Sequence, residues 1–290
     1  MKSAQEFIEI DPDQPIKISV FESVKLRDPF HYHPSQFELT LTLGSGGLRL
    51  VGDRFDDFSL TDLAIIGPGI PHCWWNNFSH PEENTEHIKV VVIHFNEHIF
   101  SAELLKRREL NHIRKLFQQA KRGIVYFGKI RDEIQKEILK LKIDPDFSTW
   151  VSLYSIFDKL GQTGEYTYLT SSNYHFEGKK DEIKHFELVH AYILDHFRDK
   201  IKIGEIASLI GMNESAFSHY FKKRTLRSFT DFINEMRLHY AASQLTHTPK
   251  NVADIAFEAG FNNLSNFNRI FKKWKDITPN QWRRRTEPLL

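Results

Sequence analysis

Residues 205–223, EIASLIGMNESAFSHYFKK, return at 254–273 as DIAFEAGFNNLSNFNRIFKK. Ile206, Ala207 and Gly211 align with Ile255, Ala256 and Gly260 at an offset of 49. After one inserted residue, Phe217, Phe221, Lys222 and Lys223 align with Phe267, Phe271, Lys272 and Lys273 at an offset of 50, and Phe232 falls opposite Trp282. Chance rarely aligns so many positions, so the segment reads as one structural unit used twice.

Each copy has the pattern of a short helix, a glycine turn and a second helix. In the second copy Phe267, Ile270, Phe271 and Trp274 fall at i, i+3, i+4 and i+7, one apolar stripe facing a core. Ser265, Arg269 and Lys272 lie opposite that stripe, with Asn266 and Asn268 on its flanks. Gly211 and Gly260 suit the left-handed position that ends a helix. Asn213, and either Asn262 or Asn263, suit the N-cap of the helix that follows. Ala207 and Ala256 lack bulk, which lets two helices cross closely. The pattern is that of a helix-turn-helix, whose second helix enters a major groove.

The outward residues carry the chemistry that such a role needs. They are Ser215, Ser218 and His219 in the first copy, and Ser265, Asn266, Asn268 and Arg269 in the second. Asparagine pairs bidentately with adenine and arginine with guanine. Lys222, Lys223, Lys272 and Lys273, one turn further along, suit phosphates. On one isolated helix a polar face reads as merely solvated. Two copies, each with its turn glycine and terminal lysines, argue for DNA, and the second copy has the richer readout chemistry.

Working outward, 290 residues suffice for two domains with cores of their own. Residues 1–180 hold 22 Lys+Arg against 25 Asp+Glu, and residues 181–290 hold 17 against 13. The net of −3 and the net of +4 place the anionic partner with the C-terminal part. The start, MKSAQEFIEIDPDQP, lacks a signal-peptide core, and the longest aliphatic runs fall short of a bilayer span. The expectation is a cytoplasmic chain with no membrane partner. The single cysteine, Cys73, forms no internal disulfide and reads as a small buried residue.

From about 16 to 95 the period is two. FELTLTL alternates Phe37, Leu39, Leu41 and Leu43 against Glu38, Thr40 and Thr42, GSGG at 44–47 is a turn, and LRLVG, LAIIG and IKVVVIHF follow. Short strands at regular spacing suggest a small sandwich or barrel. From about 101 to 160 the period is helical, through Leu110, Ile113 and Phe117, then Ile130, Ile134, Ile138 and Leu141. A third stripe is Phe147, Trp150, Val151, Tyr154 and Phe157. This region is expected to pack on the barrel and to pair with a second copy. Residues 163–180 show neither period and read as linker.

With these motifs assembled, residues about 184–285 resemble the DNA-binding domain of the AraC/XylS family of bacterial transcription regulators. The matching segments are IASLIGMNESAFSHYFKK, SFTDFINEMRLHYAASQL, VADIAFEAGFNNLSNFNRIFKK and TPNQW. The resemblance implies two helix-turn-helix subdomains joined by a helix at about 229–245, in which Arg237, Leu238, Ala241 and Leu245 occupy linker-helix positions. It also implies base-facing roles for Ser215, Ser218, His219, Ser265, Asn266, Asn268 and Arg269. Partners would be promoter DNA, a small-molecule effector, a second copy and RNA polymerase. Two departures stand out: Leu226 and Asp276 occupy positions where the family usually has glycine, and neither is expected to abolish the fold. Asn266 replaces a usual aromatic, so the target sequence is not inherited from relatives.

PFHYHPSQFEL and GPGIPHCWWN place His31, His33, Glu38, His72 and Asn76 in a pattern that resembles the two motifs of the cupin barrel. The glycine expected before the first histidine is absent, and the one expected after Glu38 is displaced. The resemblance implies a pocket lined by His31, His33, Glu38, His72 and Trp74. Three imidazoles and a carboxylate would suit Fe, Mn, Ni or Zn, but the same side chains also serve to bond a ligand or fill the barrel interior, and no cofactor is required. Trp74 and Trp75 suit either a sugar ring or a core plug.

The expected architecture is an all-β cupin-like sensor with packed helices over 1–165, a linker over 166–183 and an all-α DNA-binding domain over 184–290. The expected function is effector-responsive transcription regulation, with a carbohydrate or related metabolite as effector. A metal-dependent cupin enzyme, an isomerase or dioxygenase with a helical extension, is the alternative, and it leaves the duplication unexplained.

Overall fold

The change from strand period to helix period near residue 100 falls inside one structural unit, and the division between units comes later in the chain. The computed structural model describes residues 15–23, 26, 30–44, 46–76, 87–174 and 180–286. They form two units, an N-terminal one built on residues 15–74 and 87–174 and a C-terminal one built on residues 180–286.

The N-terminal unit contains strands β1 (Ile16–Ser23), β2 (Phe37–Leu43), β3 (Gly47–Val51), β4 (Arg54–Phe58), β5 (Thr61–Ile66), β6 (His72–Trp75), β7 (Ile88–Phe95), β8 (Ile124–Tyr126) and β9 (Tyr166–Tyr168). They make a six-stranded sheet in the order β1-β7-β2-β5-β8-β9 and a three-stranded sheet in the order β4-β3-β6. Central strand β2 pairs antiparallel with β5 and β7, so that Glu38 stands between Ile66 and His94, Thr40 between Ala64 and Val92, and Thr42 between Asp62 and Val90. Side chains alternate across a strand, so these residues share one face of the sheet. The opposite face carries Phe37, Leu39, Leu41, Leu63, Ile65, Val91, Ile93 and Phe95. It is sealed by Leu116 and Phe117 of α2 (Asn111–Ala120), Ile130 and Ile134 of α3 (Gly128–Ile138), and Ile156 and Phe157 of α4 (Phe147–Gln162). A short helix, α1 (Ala102–Leu105), precedes them. On the first face, Ala64, Ile66 and Val125 of the large sheet pack with Val51, Phe58 and Trp74, so the two sheets enclose a shared interior.

Three expectations need correction here. The helical region from 101 to 160 is interrupted by β8, three residues too short to show a period. In α4 the buried residues are Thr149, Leu153, Ile156, Phe157 and Leu160, whereas Phe147 is 83% and Val151 53% exposed. The helix is apolar on two faces, and periodicity alone does not say which of them meets the sheet. The segment read as linker from residue 166 begins as strand β9, an edge strand paired with β8, and Leu169 and Thr170 beyond it are buried.

The C-terminal unit is helical: α5 (Lys180–His196), α6 (Ile203–Leu209), α7 (Glu214–Thr225), α8 (Phe229–His247), α9 (Val252–Glu258), α10 (Leu264–Lys275) and α11 (Pro279–Thr286). Helix α8 serves both halves. Its Phe229 and Phe232 pack edge-on against Phe221 of α7. Near its other end Trp282 of α11 donates from Nε1 to the Ala242 carbonyl at 3.3 Å. Arg237, midway along, donates to the carbonyls of Phe197 at 2.6 Å and Asp199 at 2.7 Å, which pins the segment after α5.

Candidate functional site

The two repeats take the same local form because the same residues do the same work. Gly211 has φ +68° and Gly260 φ +91°, the left-handed region each turn requires. A Cβ at Gly260 would lie 2.6 Å from the Arg198 carbonyl oxygen. The Asn213 side chain accepts from the Ala216 amide at 2.9 Å and caps α7. Asn263 accepts from the Asn266 amide at 3.0 Å and caps α10, which settles the choice between Asn262 and Asn263. Phe217 and Phe221, and Phe267 and Phe271, are buried. Those anchors leave Ser215, Ser218, His219, Lys222 and Lys223 of α7 exposed, and likewise Ser265, Asn266, Asn268, Arg269, Lys272 and Lys273 of α10.

The two faces differ in readiness. Ser218 returns its hydroxyl to the Glu214 carbonyl at 2.8 Å, so it presents mainly acceptor capacity. On α10 the Arg269 Nη2 donates to Asn266 Oδ1 at 2.8 Å, one turn away, which holds the guanidinium across the exposed face. Lys272, Lys273 and Lys275 occupy the last turn, where cations also suit the helix dipole.

The second cluster lies in the N-terminal unit. His31 and His72 are joined by backbone hydrogen bonds in both directions, at 3.1 and 2.8 Å. Glu38 Oε2 lies 2.9 Å from His33 Nε2, 3.3 Å from His72 Nε2 and 3.9 Å from His31 Nε2. All four residues are buried, and one donor atom from each falls within 4.8 Å of the others. His94 of β7 joins them, its Nε2 3.2 Å from Glu38 Oε2 and 3.3 Å from His33 Nε2. His94 was not singled out in the sequence. The available signal was parity: it shares the inward face with Val90 and Val92, opposite Glu38. Thr40 donates its hydroxyl to the other oxygen of Glu38. Burial, helped by His31, holds His72 below its ordinary value. Burial lowers His33 to about 4 despite Glu38 beside it. Burial alone would push the Glu38 carboxyl up, but His72, His31 and His33 outweigh it and hold Glu38 well below the usual carboxylate range. The Nδ1 atoms of His33 and His94 are buried with no hydrogen-bond partner. This donor set, imidazole nitrogens with one carboxylate, fits a borderline divalent ion such as Zn, Ni, Fe(II) or Mn.

Trp74 does not stand open as a stacking platform. It is 3% exposed, donates from Nε1 to Asp62 Oδ2 at 2.9 Å and packs edge-on to His72. Trp75 and Cys73 are buried too. Asp62 also accepts from Arg49, so a buried arginine, carboxylate and indole form one network on the inner face. Neither Arg49 nor Asp62 was anticipated. Each is one charge in an apolar strand, a signal visible only once the strands' facing is known.

Residues 206–285 match a family described as a helix-turn-helix domain. An uncharacterised helix-turn-helix-type transcriptional regulator of Staphylococcus aureus (strain MSSA476) is 34% identical over 92 residues, which are 32% of this chain and 12% of that protein. The regulator YtdP of Bacillus subtilis (strain 168), likewise uncharacterised, is 28% identical over 193 residues, 65% of this chain and 23% of that protein. Among solved structures, a probable AraC family transcriptional regulator from Rhodopseudomonas palustris CGA009 is 25% identical, with 36% of this chain and 98% of that one covered and a TM-score of 0.34. The chain thus spans only about an eighth to a quarter of the length of these curated relatives. Both curated relatives are named as transcriptional regulators and not as enzymes. Through residues 206–285 the chain is similar to helix-turn-helix transcriptional regulators.

Proposed function

We propose that the chain is a sequence-specific DNA-binding transcriptional regulator of the cytoplasm, with α6–α7 and α9–α10 as two helix-turn-helix readers. The observation that carries this reading is the pair of exposed polar faces, each set by a turn glycine and an asparagine cap and each ending in lysines. Asn266, Asn268 and Arg269 supply donors and acceptors suited to base edges, and the lysines suit phosphates. The N-terminal unit is a cupin-like barrel that senses a small polar metabolite, a carbohydrate or a relative of one. Its interior offers Thr40, Thr42, Arg49 and Asp62, groups that bond hydroxyls. It also pairs the chain with a second copy, through the exposed apolar face of α4. The effector acts by binding one arrangement better than the other.

Mobility shifts against the upstream region of the chain's own operon test the reading. Specific binding is expected, and Arg269→Ala is expected to lower it by about 1–3 kcal/mol, roughly 5- to 150-fold. Binding that is specific yet indifferent to Arg269→Ala would remove α10 as a reading helix. Binding that does not weaken with salt would remove DNA as the partner.

A further inference from the structure

The histidine cluster is built from more residues than a hydrogen-bonded interior needs. Glu38 Oε2 has three imidazole Nε2 atoms within 3.3 Å and a fourth at 3.9 Å. One carboxylate oxygen has two lone pairs, and its partner oxygen is already engaged by Thr40. His72 sharpens the mismatch. Its Nδ1 lies 2.7 Å from the Ile70 carbonyl, which accepts only, so Nδ1 carries the proton. A neutral His72 then aims a bare Nε2 lone pair at a carboxylate oxygen 3.3 Å away. His33 and His94 also turn their Nε2 atoms toward each other at 3.3 Å, a contact that is a hydrogen bond only if one of the two nitrogens is protonated and the other bare.

A cation resolves every one of these contacts. Bonds of about 2.1 Å to nitrogen and oxygen place neighbouring donors roughly 3.0–3.4 Å apart and opposite donors about 4.2 Å apart. The separations of 2.9, 3.2, 3.3 and 3.3 Å in the cluster fall in or next to the neighbouring range, and 3.9 Å lies between it and the opposite-donor distance. The tautomer set by Ile70 is also the one a ligating His72 requires, because the carbonyl holds the non-ligating nitrogen.

We propose that His94 is a ligand of a divalent transition-ion centre shared with His31, His33, Glu38 and His72. The ion then joins the two sheets, since Glu38 and His94 stand on β2 and β7 of the large sheet and His72 on β6 of the small one. It stabilises the N-terminal unit wherever the ion is present. The inference goes beyond DNA binding and does not depend on it.

The test uses the full chain, stripped with a chelator, dialysed and titrated with Co(II) as the probe. The expected result is one equivalent per chain, visible d–d absorption, and a melting temperature that rises with Co(II) concentration. His94→Gln is expected to weaken binding by about tenfold or more and to change the absorption bands. His98→Gln, at an exposed histidine outside the cluster, leaves both unaltered. Cobalt-edge X-ray absorption on the Co(II)-loaded unmutated chain counts the imidazoles without relying on a variant's folding, and four are expected. No uptake by the unmutated chain would overturn the centre itself. Uptake with three imidazoles, or with bands and affinity indifferent to His94→Gln, would overturn the role of His94.

Discussion

At the scale of single residues, two positions depart from the turn chemistry that the rest of the duplicated unit obeys. Leu226 has φ 57° and Asp276 φ 59°, both left-handed C-caps, of α7 and α10 respectively. Side chains there meet the following carbonyl, which costs about 1–2 kcal/mol relative to glycine. Glycine would lose part of that gain through its greater freedom in the unfolded chain. Leu226→Gly and Asp276→Gly are each expected to raise stability by about 0.5–1 kcal/mol, read as a higher urea midpoint at unchanged slope. Both side chains are exposed, so no core packing is lost. A lower midpoint would mean that the side chains make contacts which outweigh the strain. The turn glycines and the Asn213 cap were legible in sequence because each depends on only a few neighbouring residues, whereas Leu226 and Asp276 were marked only by the family resemblance and their conformation comes from the structure.

At the scale of elements, α10 divides its faces between core and solvent as its pattern requires, and the two faces make separable predictions. Lys272 and Lys273 lie one turn beyond the base-facing set and are exposed. Changing either to glutamine is expected to weaken binding about equally on every DNA sequence and to reduce the slope of log K against log salt by about 1. Sequence discrimination should survive, which separates these lysines from Arg269. Helix α4 shows the limit of the same reasoning. Its outer face leaves a groove of about 450 Å³ lined by Pro145, Phe147, Trp150, Val151 and Tyr154. If that face pairs two copies, Phe147→Glu shifts the chain toward monomer in sedimentation while its circular dichroism stays native, because Phe147 contributes little to the fold itself. A chain that sediments identically with and without the change would free α4 from that role.

At the scale of the whole molecule, stability should depend on pH through groups the fold buries. His190 of α5 is packed edge-on against Phe186 and Phe232, at 4.3 and 5.2 Å between ring centroids. Burial lowers its pKa from 6.5 to about 3. Between these values the unfolded chain holds a proton that the folded chain does not, so stability falls as pH drops from about 6.5 toward 3, by up to about 1.4 kcal/mol per pH unit. His190→Leu is expected to flatten that dependence in urea unfolding followed by the fluorescence of Trp274 and Trp282. An unchanged slope would mean that other groups govern it.

The amino-acid sequence alone determined what short-range rules determine: the duplication, the turn glycines, the Asn213 cap with a choice of two for α10, and the core and solvent faces of α7 and α10. Those depend on residues within a few positions of one another, so periodicity and capping chemistry expose them. It also marked His31, His33, Glu38 and His72, because a motif places them close along the chain or in recognisable pairs. Only the tertiary structure decided which face of α4 meets the sheet, that residues 166–168 pair as an edge strand, and that His94, Arg49 and Asp62 turn inward. Each of these is set by strand register between segments distant in sequence. One lone histidine in IKVVVIHF means little until β7 is paired with β2 and sets it opposite Glu38.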